Sequence, residues 1–159
     1  MLRLYKNNVN PEYYETEDGM KLFQQDMEYF KKMVYCLCWF HSIIIERKRF
    51  KSLGWNVPYD FNDSDFGICK DIIASYIKNV QFDDKEKDKG QGRSSLIQWD
   101  AIRYLIGEAN YGGRVTDKYD AKLLGVYTNE FFTQLVLTEE KFFLAGEGLP
   151  EYYVPDDAA

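Results

Sequence analysis

Two glycines and an arginine stand side by side in "EANYGGRVTDKYD", Glu108 to Asp120. Successive glycine amides beside a guanidinium and a helix N-terminus are the parts of an anion site, because N–H dipoles and positive charge both favour a phosphate there. Asp117 and Asp120 oppose that reading: in the first turn of a following helix their carboxylates repel an anion, and Thr116 or Asp117 can cap that helix itself. Gly112 and Gly113 then suit the left-handed close of the preceding helix. Arg114 is left to hold a carboxylate or several helix-end carbonyls, with Glu108, Asp117 and Asp120 as candidate partners.

The other reactive side chains are sparse. The single histidine, His41, lies in an apolar helical run, where a satisfied core imidazole outweighs a catalytic base. Cys38 with His41 has the composition of a nucleophile and its base, but both fall within one crowded helix that leaves no cleft for substrate. Cys36, Cys38 and Cys69 are odd in number and sit in apolar patterns without a zinc-type spacing, so they are expected to be free, buried thiols. No G-x-x-x-x-G-K-[ST], G-x-G-x-x-G or H-E-x-x-H occurs. Neither a catalytic residue, nor a cofactor site, nor a metal site is therefore assigned.

Helices must position these residues. Phe23, Met27, Phe30, Val34, Leu37, His41, Ile44 and Lys48 are spaced alternately by four and three, the seam of a central helix whose other faces are apolar between Met33 and Ile45. That run is too short for the roughly 20 residues of a membrane span, and no signal peptide is visible at the start. Gly54 and Pro58 break the pattern, leaving a loop that Trp55, Tyr59 and Phe61 anchor. Asn62, Asp63 or Ser64 caps a second helix with Cys69, Ile72, Ile73, Tyr76 and Val80 inward and Lys70, Asp71, Ser75 and Lys78 outward. A third helix is expected from about Gln98 to Glu108, with Trp99, Ile102, Leu105, Ile106 and Ala109 inward. A fourth runs from about Asp117 to Phe132, with Tyr119, Leu123, Val126, Tyr127 and Phe131 inward. Between the second and third, "DDKEKDKGQGR", Asp83 to Arg93, has no apolar residue and is expected to be a solvated insertion. Beyond Leu137 the pattern weakens to at most one short strand and an extended exit.

The fold class is thus mainly α: a bundle of about four main helices with a polar insertion and an irregular C-terminal tail. At 159 residues, with 13 Tyr, 11 Phe and 3 Trp, the chain can bury one sizeable core. Its formal charge of -6 opposes general binding to nucleic acid or to an acidic membrane, and leaves room only for a local basic patch.

Longer motifs add a resemblance. Phe40-His41, Glu46-Arg47-x-x-Phe50, the run from Leu53 to Asp65 ("LGWNVPYDFNDSD") and Tyr111 to Asp117 ("YGGRVTD") resemble the C-terminal motor region of dynein heavy chains, over about Leu2 to Asp157. Where the family pattern reads "FGPLGWN", this chain has "FKSLGWN", Phe50 to Asn56, and the polar run Asp83 to Arg93 is a further departure. The wording is closer to axonemal than to cytoplasmic dyneins. The resemblance implies the helical AAA+ lid of the sixth module of the ring, over 1–150, with 151–159 beginning the passage to the C-terminal domain. Trp55, Asn56, Pro58, Tyr59, Phe61, Asn62, Asp65, Tyr111, Gly112, Gly113, Arg114, Thr116 and Asp117 carry its structural motif, and Arg114 is similar in place to a vestigial lid arginine. The implied function is a non-catalytic mechanical part of an ATP-driven, minus-end-directed microtubule motor, with ATP and Mg in other modules and not in this one. The alternative is a freestanding helical interaction module derived from the lid. Implied partners are the neighbouring AAA+ modules and the C-terminal domain of the same heavy chain, with microtubules and dynein intermediate and light chains reached through the parent. The implied location is the cytoplasm and cytoskeleton, in the axoneme of a cilium or flagellum.

Overall fold

Six consecutive residues, Met33 to Cys38, are all buried, which identifies the helix that runs through the middle of the molecule. The structure is a computed structural model that describes residues 1–9, 24–79 and 97–138. Helix α1 (Leu2–Asn8) precedes α2 (Gln24–Arg47), which passes into a 3-10 turn at Lys48–Leu53. Helix α3 (Asp63–Asn79) follows, then α4 (Trp99–Arg103), which widens without a break into a π-helix at Tyr104–Tyr111 and tightens into a 3-10 turn at Gly112–Arg114. Helices α5 (Lys118–Phe131) and α6 (Leu135–Thr138) complete the described residues, among which no strand occurs. Helices α1, α3, α5 and α6 all pack on α2, so the expected helical bundle is what forms.

The apolar seam of α2 explains this arrangement. Phe30, Val34, Leu37, His41 and Ile44 are buried as their spacing predicts, and Phe40 sits among the rings of Tyr111, Phe131 and Phe132 at centroid distances of 5.1, 6.5 and 5.9 Å. Edge-on aromatic contacts of this kind add to the burial itself. Helix α3 turns Phe66, Cys69, Ile73 and Ile77 inward. The short helices α1 and α6 have no forerunner in the sequence reading; Tyr5 of α1 meets Tyr35 edge-on at 5.3 Å, and α6 contributes Val136 and Leu137.

Several expectations are corrected. The third helix does not stop at Glu108. Its π turn inserts extra residues, so the residue beneath Ile106 on the core face is Tyr111, and Ala109 is exposed. On α5 the inward face is Asp120, Leu124, Thr128 and Phe131, while Tyr119 and Val126 are 63% and 53% exposed. The helix is turned about its axis because Asp120 is drawn into the loop after α2. Lys48 lies beyond α2 and is exposed, and Lys70 is half-buried with its ammonium 3.0 Å from Asn8 Oδ1. Phe23, Val80, the run 83–93 and the tail with its expected strand lie outside the described residues, as do the side-chain surroundings of Lys78.

Candidate functional site

Helix α2 leaves carbonyls without partners at its C-terminus, and the residues that follow turn back to serve them. Trp55 donates from Nε1 to the Ile44 carbonyl at 2.9 Å. Arg47 reaches forward: Nε and Nη2 donate to the Gly54 carbonyl at 3.0 and 2.7 Å, and Nη1 to the Tyr127 hydroxyl at 2.8 Å. Its guanidinium also lies over the rings of Trp55 and Tyr127, 5.3 and 5.6 Å from their centroids. Gly54 is the residue this closure requires, since a Cβ there would stand 1.7 Å from the Arg47 carbonyl oxygen.

The loop then meets α5. The carboxylate of Asp120, 4% exposed, accepts from the Asn56 amide at 3.1 and 3.0 Å, from the Val57 amide at 3.3 Å and from the Tyr59 hydroxyl at 3.0 Å. Tyr59 Oη in turn accepts from the Asp117 amide at 3.1 Å. Asp117 is the cap of α5, taking the amides of Tyr119 and Asp120 at 2.8 and 3.0 Å and the Asn56 side-chain amide at 3.1 Å. The Asp120 amide, then Asn56, hold the Asp117 carboxyl below the ordinary carboxylate range, while burial, aided by Asp120, raises the Tyr59 phenol. Thr116 is exposed, and Asp117 alone caps.

A second tie joins α3 to the end of the π-helix. Asn62 caps α3 by accepting from the Ser64 amide at 2.9 Å, and its own amide donates to Asp65 Oδ2 at 2.9 Å, a reciprocal box across the first turn. The other oxygen of Asp65 accepts from Arg114 Nε at 2.8 Å. Asn110 donates to the Asp65 carbonyl at 2.8 Å and to Cys69 Sγ at 2.9 Å. Beneath them His41 Nδ1 and the Tyr111 hydroxyl share a hydrogen bond of 2.9 Å in the core. Nε2 of His41 has no hydrogen-bond partner among the described residues and lies 4.0 Å from Asp63 Oδ1. Burial, partly opposed by Asp63 and Asp65, lowers the His41 pKa, so the ring is neutral at pH 7.

The motif residues therefore converge, but on one another. Arg114 pairs with Asp65 and with none of the three expected carboxylates. Gly112 is right-handed at φ -63°, not left-handed, and is needed for closeness: a Cβ would stand 2.4 Å from the Gly107 carbonyl oxygen across the π turn. Trp55, Tyr59, Phe61 and Tyr111 form a chain of ring contacts at 5.7 Å between loop and π-helix. Pro58 and Gly113 are exposed. With the Arg114 Nε given to Asp65 and both carboxylates of the corner engaged, the arrangement locks helices together. Burial pushes the Cys38 and Cys69 thiols up to about 12, and that of Cys36 further, so none supplies a thiolate at neutral pH. Among the described residues no group of His, Cys, Asp and Glu could hold a metal ion, and no helix is long and apolar enough to cross a membrane. Sequence reasoning missed Asn110 and the buried acceptor role of Asp120; neither side chain carries a local signal for a partner 41 to 64 residues away.

Comparison with known proteins adds the lineage. A family model described as the dynein heavy chain AAA lid domain matches residues 30–159. The dynein-1-beta heavy chain of the flagellar inner arm I1 complex of Chlamydomonas reinhardtii is 37% identical over 99% of this chain and 3% of its own length. Dynein axonemal heavy chain 2 is 42% identical over 82% of this chain in Mus musculus and 35% over all of it in Homo sapiens, again over 3% of each relative. The chain thus spans about 3% of the length of these relatives.

Proposed function

Since this chain belongs to the dynein heavy chain AAA lid family, we propose that it serves as a non-catalytic, mechanical subdomain of an ATP-driven, minus-end-directed microtubule motor. In this reading 1–150 is the helical lid of the sixth AAA+ module and 151–159 begins the passage to the C-terminal domain. ATP and Mg act in other modules, and the lid's immediate partners are the neighbouring modules and the C-terminal domain of the same heavy chain. Microtubules and the intermediate and light chains are met through the parent. The axonemal and flagellar names of the relatives support a place in the cytoskeleton of a cilium or flagellum. Because each relative carries the segment within a far longer heavy chain, a freestanding module is the weaker reading.

The observation that carries the mechanical role is the pair Arg114–Asp65 at 2.8 Å. In our reading Arg114 and the motif residues Trp55, Asn56, Pro58, Tyr59, Phe61, Asn62, Asp65, Tyr111, Gly112, Gly113, Thr116 and Asp117 stiffen the corner. Force entering one helix is passed to the next without the corner opening. Arg114→Ala tests this. The guanidinium is nearly half exposed, so its loss is expected to cost only about 1–2 kcal/mol in urea denaturation, with ATP affinity of the intact motor unchanged. Unchanged melting together with lost ATP binding would overturn the proposal.

A further inference from the structure

The 3-10 turn after α2 carries three features on the outer side of the locked corner. Lys51 holds φ 50° and ψ -128°, the only positive φ of a non-glycine residue among those described, in a region that costs a side-chain-bearing residue of order 1–3 kcal/mol. On either side of it Phe50 and Leu53 stand 64% and 88% exposed. Beside the turn a hollow of about 310 Å³ is lined by Lys48, Lys51, Ser52, Trp55, Asn56 and Pro58. Lys48 is paired with Asp60, and Arg49 with Glu46 at 3.1 Å, but Lys51 has no ion-pair partner among the described residues.

We infer that this turn and its hollow are a docking site for an acidic, apolar-flanked segment of the rest of the heavy chain, whose carboxylate enters between Lys48 and Lys51. Charge complementarity at contact range selects the anion, since the Lys51 ammonium has no counter-charge among the described residues. The two exposed apolar side chains select a protein segment over a small anion, because a free phosphate would leave Phe50 and Leu53 in water. An anionic bilayer is disfavoured by the same overall negative charge. Strain kept at an exposed turn fits a surface that is completed by binding. This inference rests on the reading that the chain works inside a heavy chain.

Carbodiimide cross-linking of the intact heavy chain, read by mass spectrometry, tests it. Lys51 is expected to join an Asp or Glu outside residues 1–159, and Phe50→Ser with Leu53→Ser to lower that yield about tenfold without moving the urea midpoint of the chain. Cross-links from Lys51 only to Glu46 or Asp60, or a yield indifferent to the serine pair, would overturn the site. Shielding of Lys48 and Lys51 from acetylation by inorganic phosphate alone, or binding to phosphatidylserine vesicles that the serine pair abolishes, would overturn the choice of occupant. ATP binding that depends on Arg114 would instead remove the mechanical reading and leave the cross-link result standing, so the two failures are distinct.

Discussion

Replacing Asp120 by alanine removes the acceptor on which the loop after α2 depends. The Tyr59 hydroxyl, on a side chain only 5% exposed, loses a hydrogen bond to a charged group, worth about 1.5–3 kcal/mol. The amides of Asn56 and Val57 are only partly buried, and water can replace much of what they lose, so about 0.5–1 kcal/mol each is assigned to them. The expected total is about 3–4 kcal/mol, a large share of the 5–15 kcal/mol typical of a domain. For a chain of this length that lowers Tm by about 10 °C. Urea denaturation followed by tryptophan fluorescence measures it, since Trp55 lies in the released loop. Asp120→Asn keeps an acceptor but turns an N–H toward a donor, and is expected to cost about half as much. Tyr59→Phe supplies the decisive control: as the two groups touch, the double variant should fall short of additivity by about 1 kcal/mol or more. A loss below about 1 kcal/mol for Asp120→Ala, or strict additivity with Tyr59→Phe, would refute the view that this carboxylate organises the corner.

His41 has a folded pKa below its unfolded value near 6.5, so its neutral form is favoured by folding. That contribution is complete above about pH 6.5 and is lost as pH falls toward the folded pKa; His41→Gln should flatten the fall in stability between about pH 7 and 5, and an unchanged slope would count against it. Lys51→Gly should raise stability by about 1 kcal/mol, strain relief exceeding the added entropy of the unfolded glycine, and a lower urea midpoint would deny that the turn is strained. A disulfide-exchange reagent at neutral pH should label Cys36, Cys38 and Cys69 only as fast as the chain unfolds; prompt reaction of one thiol would contradict its burial.

What the sequence determined by itself is local and periodic. The seam of α2 and the inward placing of Cys69 and Ile73 on α3 follow from side-chain spacing. The need of first-turn amides for an oxygen narrows the caps to Asn62, Asp63 or Ser64 and to Thr116 or Asp117, among which the structure chose Asn62 and Asp117. The longer motifs marked out which loop and which corner matter. The tertiary structure decided how those pieces face one another. Two adjoining stripes of α5 are both partly apolar, and a 3.6-residue period cannot choose between them. The choice was made by Asp120, whose donors lie 61 to 64 residues earlier. The π turn that brings Tyr111 under Ile106 has no local signature, because its reward is the contact of Tyr111 with His41 and Phe40. Arg114 announced only that it needed an anion. The one it found, Asp65, is 49 residues away and became its partner when α3 and the π-helix packed against each other.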